Sequence, residues 1–181
     1  MCIPESCHSF VMTSICEVKI INMMRTMKVD SSIDLEALHA RNGGRLHRGR
    51  PEMLVLPLSN RRNVQFFRGG TVQILGNIPD DMAEWMRREV LLLLPEKASV
   101  TPLQTRNIVV SAQLTKRPSL PLWSSDTVFY ETELFPAALI RMWHPAHVAV
   151  FHNGKVIVTG LKTLSAFYNV MKSLLDFLPQ N

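Results

Sequence analysis

The chain repeats itself. QFFRGGTVQILG (Gln65 to Gly76) and AVFHNGKVIVTG (Ala149 to Gly160) align without a gap, which sets Phe67, Gly70, Val72 and Gly76 on Phe151, Gly154, Val156 and Gly160. Each segment reads as a hairpin: an apolar strand, a turn with glycine, then a second apolar strand closed by glycine. A chain that uses one supersecondary unit twice is confined to the few architectures in which two copies complete each other, so the repeat constrains the fold before any local propensity does.

The flanks of the two hairpins also correspond. PDDMAEWMRREVLLLLP (Pro79 to Pro95) carries Met82, Met86, Val90 and Leu93 at helical spacing, with a proline and two acids suited to a helix start. LKTLSAFYNVMKSLLDFLP (Leu161 to Pro179) sets Phe167, Val170, Met171, Leu174 and Leu178 on one helical stripe, and in the register of the hairpins its closing Pro179 falls on Pro95. Both stripes read as core. Upstream, IINMMRTMKV (Ile20 to Val29) and RNIVVSAQL (Arg106 to Leu114) read as strands carrying Asn22 and Asn107, whose distances from Phe67 and Phe151 along the chain differ by a single position. SSIDLEALHARN predicts a short helix capped by Ser32 or Asp34, with a shorter counterpart around Ser124 to Phe129.

Each half therefore reads strand, helix, three or more strands, helix. The expected organisation is a flexible tail over residues 1–16, a first repeat over 17–96, a linker over 97–105 and a second repeat over 106–181. In VFHNGKVIVTG (Val150 to Gly160), Val156 and Val158 point one way and Ile157 and Thr159 the other, so the strand has little polar character on either face. The expected fold is α+β: two pseudo-symmetric units whose sheets join into one long curved antiparallel sheet, with four helices on the convex face. The opposite face then stands bare, and an apolar face of that extent reads as a binding surface.

Composition narrows the ligand. Twenty Lys and Arg against 15 Asp and Glu give a formal charge of +5, which favours an anionic partner. No apolar run reaches the length of a membrane span, and the segment from Met1 to Cys16 lacks the basic start and apolar block of a secretory leader; a soluble, intracellular protein without a membrane partner is expected. The three cysteines, Cys2, Cys7 and Cys16, make a poor disulfide framework, and with His8 they lack the paired spacing of a zinc knuckle, so no metal or other cofactor is expected. His144, His147 and His152 are the remaining candidates for metal chemistry. No nucleophile elbow, HExxH, P-loop or dinucleotide fingerprint accompanies them, and no catalytic residue is assigned.

YETELFPAALIRM (Tyr130 to Met142), followed by VFHNGKVIVTG with Leu161 and Lys162, resembles the second repeat of the TATA-box-binding protein family, whose pattern is YEPELFPGLIYRM and then IFxSGKxVxTGAK. ALHARN (Ala37 to Asn42) is similar to the family's first-repeat ALRARN. The resemblance implies a saddle whose bare sheet face binds the minor groove of A·T-rich DNA, wedging phenylalanine pairs between base steps at each end. Small apolar side chains fit the floor of a groove that lacks the guanine amine, and an asparagine amide hydrogen-bonds to it. Carried onto this chain, the second-repeat wedges are Phe135 and Phe151, the groove contacts Asn107, Val109, Ile157 and Thr159, and the phosphate contacts Arg141, Lys155 and Lys162.

The first repeat departs from that pattern. Counting back from Phe67 by the family's spacing for its wedge pair lands on Arg50, where a phenylalanine is expected. Met24 stands for a valine, Gln73 for a valine, Leu75 for a threonine, and Leu56 and Thr71 for basic residues, leaving Asn22 and Phe67. The loop GGRLHRGRP adds Arg45, Arg48 and Arg50. The resemblance further implies that Glu131, Glu133 and Leu134 dock general transcription factor IIB, with a IIA-like factor as another candidate partner, and a nuclear location. The expected function is thus a transcription-initiation factor with altered or weakened TATA specificity; the alternative is an adaptor of the same fold acting through protein partners.

Overall fold

In the computed structural model, which describes residues 14–59, 62–120, 126–141 and 144–178, the chain divides into two compact units. Unit I spans Asn22–Arg106, and unit II comprises Asn107–Asn181 with the N-terminal residues through Ile21. Unit I holds the second half of β1 (Ile15–Lys28), together with α1 (Leu35–Asn42), β2 (Arg45–His47), β3 (Met53–Pro57), β4 (Asn63–Phe67), β5 (Thr71–Leu75) and α2 (Ala83–Leu93). Unit II holds most of β6 (Gln104–Leu114), β7 (Val128–Phe129), β8 (Ala137–Ile140), β9 (His147–Phe151), β10 (Lys155–Leu161) and α3 (Leu164–Phe177). The hydrogen-bonded order is β2-β3-β4-β5-β1 in unit I and β6-β10-β9-β8-β7 in unit II. The class is α+β with an antiparallel sheet, as expected.

Alternation along the strands decides which side chains meet the helices. In unit I, Leu54, Phe66, Val72 and Met27 form one cross-strand row and Leu56, Val64 and Ile74 another. All are buried, in a cluster with Leu35 and Leu38 of α1 and Met86 and Val90 of α2. In unit II the matching set is Val148, Val150, Val156 and Val158 with Ile108, Val110 and Ala112, and α3 packs on β10 with Phe167, Val170, Met171 and Leu174 turned inward. Burying such side chains is the main favourable term in folding. Arg25 is the exception. It shares a cross-strand row with Ile74 yet is 5% exposed, and its guanidinium is held by Asp80 and by Met23 Sδ at 3.0 Å.

Helix starts follow the expected chemistry. Asp34, not Ser32, caps α1 by accepting from the Ala37 N–H at 3.0 Å, and Thr163 caps α3 in the same way. The segment after Pro79 opens as a 3-10 turn, Asp80–Met82, before α2 begins. Near its end Leu94 is buried where Leu93 was expected, because the chain leaves helical geometry at that residue.

Two expectations change. The structure has three α-helices among the described residues rather than four: Val128–Phe129, which fall in the proposed second short helix, pair with Ile140 and Leu139 as a strand, and residues 121–125 lie outside the described set. A β-branched residue beside an aromatic suits a pleated surface better than a helical turn. β1 begins at Ile15, inside the expected tail, most of which (residues 1–13) is outside the described residues.

The hairpin turns of the two units match in detail. Gly70 and Gly154 have φ of 79° and 84°, and their N–H groups donate to Phe67 O and Phe151 O at 3.0 and 2.9 Å. A Cβ at Gly70 would stand 2.8 Å from Ser31 O, whereas one at Gly69 meets nothing within 4 Å. Gly70→Ala is therefore expected to lower the unfolding free energy by about 1–3 kcal/mol, while Gly69→Ala stays within about 0.5 kcal/mol of the parent. Urea titration of both variants checks this, and equal losses would contradict the assigned turn.

Candidate nucleic-acid interface

The face of unit II away from α3 carries most of the expected contacts. Cross-strand pairing sets Leu139, Ala149, Ile157 and Ser111 in one row and pairs Thr159 with His147. Phe135, on the loop before β8, meets Phe151 at the end of β9 with ring centroids 6.1 Å apart and planes at 59°. Both phenylalanines, Arg141, Ile157 and Thr159 line a depression of about 260 Å³ together with Leu139, His147 and Ala149. Phe135 is 40% exposed, and Phe151, Ile157 and Thr159 are half-buried, so none is enclosed in the core. Val109 shares this face by alternation, as does the exposed Lys155 at the start of β10.

Asn107 is held by a bulge. The pairing of β10 with β6 passes from Val158↔Val110 to Leu161↔Ile108, so β10 holds one residue more than its partner. Gly160, in the irregularity, has φ of 82°, and its N–H donates to Asn107 Oδ1 at 2.8 Å. A Cβ there would lie 2.2 Å from Pro145 O, so the position requires glycine. The bond occupies the acceptor end of the Asn107 amide, and its Nδ2 has no protein partner among the described residues. A donor therefore stands beside an apolar strip.

Unit I differs at the same places. Gly76 N–H donates to Met23 O at 2.9 Å, so Asn22 is not held as Asn107 is. The row equivalent to Leu139, Ala149, Ile157 and Ser111 is Val55, Gln65, Gln73 and Thr26, and Gln73 Nε2 donates to Gln65 Oε1 at 3.3 Å. Met24 and Gln73 are half-buried and Leu75 is exposed. Leu56 does not stand where a basic contact belongs: it pairs with Val64 on the core face and is 1% exposed. Met53 faces Phe67 as Ala137 faces Phe151, which makes Pro57 the counterpart of Arg141, and Pro51, adjacent to Arg50, the counterpart of Phe135. Neither Arg50 nor Pro51 is aromatic, so unit I has no second phenylalanine beside Phe67 at this place.

Charge is distributed unevenly over unit I. Glu52 and Glu36 both hydrogen-bond the Arg68 guanidinium and hold its pKa above the ordinary value. Arg45, Arg48 and Arg50 are exposed and have no acidic partner among the described residues. Lys28 Nζ donates to Thr71 Oγ1 at 2.7 Å, so a cation from β1 stands beside the position whose equivalent is Lys155. That neighbour was hidden in the sequence because β1 and β5 are far apart along the chain.

The remaining candidates fall elsewhere. Lys162 is exposed and lines a separate hollow with Ala166, Asn169 and Val170 of α3. Glu131, Glu133 and Leu134 form a turn in which the Leu134 and Phe135 N–H groups donate to Glu131 O, leaving Leu134 71% exposed. His152 bonds Tyr130 Oη, and among the described residues no cluster of three or more His, Cys, Asp or Glu is placed to hold a metal. Cys2, Cys7 and His8 lie outside the described residues; Cys16 is a free, exposed thiol. Leu139, Ala149 and His147 were not singled out from the sequence, although period-two counting from Phe151 and Ile157 reaches them.

Exposure of the aromatic pair has a consequence for stability. Phe135→Ala is expected to cost under about 1.5 kcal/mol of unfolding free energy, against about 3–5 kcal/mol for Phe167→Ala in the core. Chemical denaturation separates the two, and a core-sized loss at Phe135 would count against its being a surface group.

Comparison with known proteins agrees with this fold. The family model described as transcription factor TFIID, or TATA-binding protein, matches residues 102–180, which is the better-matched half. The chain is 25% identical over 168 residues to the TATA-box-binding protein of Schizosaccharomyces pombe, covering 88% of this chain and 73% of that one. It is 26% identical over 173 residues to the TATA-box-binding protein of Methanocaldococcus jannaschii, covering 91% and 94%. The solved structure of Methanococcus jannaschii TBP matches with a TM-score of 0.69 and 28% identity, over 89% of this chain and 97% of that one. In sequence and in fold the chain is similar to the TATA-box-binding proteins, and the family model matches its second half.

Proposed function

We propose that this TBP-like transcription factor binds the minor groove of duplex DNA through the open face of its strands and acts in transcription initiation in the nucleus. The observation that carries the reading is the unit II face: Phe135 and Phe151 lie 6.1 Å apart beside a strip of small apolar and hydroxyl side chains. Such a strip suits the floor of an A·T-rich groove, which presents acceptors and no amine, and the Asn107 Nδ2 supplies a donor to them. Two adjacent rings suit insertion at an opened base step, where stacking offsets part of the unstacking cost. Arg141 and Lys155 flank the strip as phosphate contacts, with Lys162 beyond it. In unit I only Asn22 and Phe67 retain the expected chemistry, so its grip on A·T sequence is relaxed.

Glu131, Glu133 and Leu134 form the proposed docking site for general transcription factor IIB. An apolar side chain exposed between two acids supports that reading, because a basic partner surface with one apolar socket would engage all three.

The second reading, an adaptor without tight DNA binding, is favoured by the polar Gln65–Gln73 pair and the missing wedge. Gel-shift titration decides between them. An A·T-rich duplex is expected to bind with an affinity that falls steeply with salt, and Phe135→Ala with Phe151→Ala to lose at least about tenfold. Arg141→Gln should reduce the salt slope by about one. No salt-sensitive binding to A·T-rich or G·C-rich duplexes would leave the adaptor. Charge reversal at Glu131 and Glu133 is expected to abolish capture of factor IIB while DNA affinity holds.

A further inference from the structure

The two units present opposite chemistry at equivalent points of their open faces. Where unit II has Ala149 and Ile157 side by side, unit I has Gln65 and Gln73, both half-buried. Gln73 Nε2 donates to Gln65 Oε1 at 3.3 Å, which fixes how the remaining polar atoms are shared out. Gln73 Oε1 is left as an acceptor and Gln65 Nε2 as a donor, neither with a protein partner among the described residues. An amide carries two donor hydrogens and an acceptor oxygen, so this pair still has capacity to spend on a ligand.

The minor groove answers donors and acceptors unequally. Every base pair offers acceptors at purine N3 and pyrimidine O2, so the Gln65 donor finds a partner on any sequence. Only a G·C pair offers a donor, the guanine N2 amine, so the Gln73 acceptor has a partner on G·C and none on A·T. At the Ile157 position the logic reverses: an aliphatic side chain would desolvate the guanine amine without replacing its hydrogen bond. The cross-strand bond also restrains the Gln73 amide, so less of its rotamer freedom remains to be lost on binding.

We propose that Gln73, oriented by Gln65, accepts a hydrogen bond from the N2 amine of a guanine in the minor groove. Unit I thereby favours a G·C pair where unit II favours A·T. The assignment rests on the minor-groove reading above and gives it a composite target: one half A·T-rich, the other bearing guanine.

Competition binding tests this with duplexes of one length: A·T only, one G·C pair in one half, one G·C pair in each half, and the last two with inosine for guanine. Inosine keeps the pairing and removes the N2 amine. The duplex with guanine in one half is expected to bind about five- to tenfold more tightly than A·T only, and guanine in both halves to lose that gain. Inosine should return both to the A·T value. Gln73→Val is expected to turn the single-guanine preference into a penalty, with an unchanged salt slope showing that the phosphate contacts are intact.

Equal binding of guanine and inosine duplexes, with A·T-only DNA still bound, would overturn the assignment of Gln73 and leave the minor-groove reading standing. Guanine in one half penalised in the native chain as much as in Gln73→Val would overturn it equally. Salt-sensitive binding to none of the duplexes would remove the minor-groove reading, and the assignment with it.

Discussion

An antiparallel strand can hide only every second side chain beneath a helix, and the rest of this structure follows from that arithmetic. Helices α1 and α2 cover one face of the unit I strands, and α3 packs on one face of unit II. The opposite faces must therefore be tolerable to water or reserved for a ligand. Unit I takes the first course over much of its area, with Asn63, Gln65, Gln73 and Thr26 there. Unit II keeps apolar side chains there: Leu139, Ala149, Ile157 and two phenylalanines share one depression. An apolar strip of this kind carries a continuing solvation cost, and a polar substitution such as the one at Gln73 would relieve it.

Local geometry at the strand junction then sets which polar groups face outward. The extra residue in β10 detaches the Gly160 N–H from the ladder, and Asn107 Oδ1 receives it. That bond satisfies a half-buried donor and at the same time orients the amide so that its nitrogen is the unpaired end. In unit I the equivalent glycine bonds to a backbone carbonyl instead. Two asparagines in matching positions are thus unlike in preorganisation, a difference created by one hydrogen bond.

The hairpins, α2, α3 and the Asp34 cap were legible in the sequence because each depends on interactions within a few residues: period-two alternation, helical stripes, a side chain reaching three residues ahead. The adjacency of Phe135 and Phe151 was legible only through the family resemblance, and pairing across β8 and β9 brings the two rings together. What escaped depends on register between distant strands. Leu56 was placed on the open face by counting one residue out of step, and in a strand a slip of one residue exchanges the faces. The Gln65 partner of Gln73 and the Lys28 neighbour of Thr71 come from strands whose pairing the sequence does not state. Arg25 was unremarkable among apolar strand residues until β1 was seen to turn it toward Asp80.

The two units can be read as one experiment in which folding and binding constrain different residues. On the core face the equivalent pairs are alike in kind: Val64 and Val148, Phe66 and Val150, Val72 and Val156, Ile74 and Val158 are all fully buried or nearly so. On the open face they are not: Gln65 stands against Ala149, Gln73 against Ile157, Leu75 against Thr159, Thr71 against Lys155. Loss of packing would penalise changes in the first set in either unit whatever the protein binds. Changes in the second set cost the fold little, so packing leaves their pattern free to differ. The difference between the units is accordingly concentrated where stability has least to say.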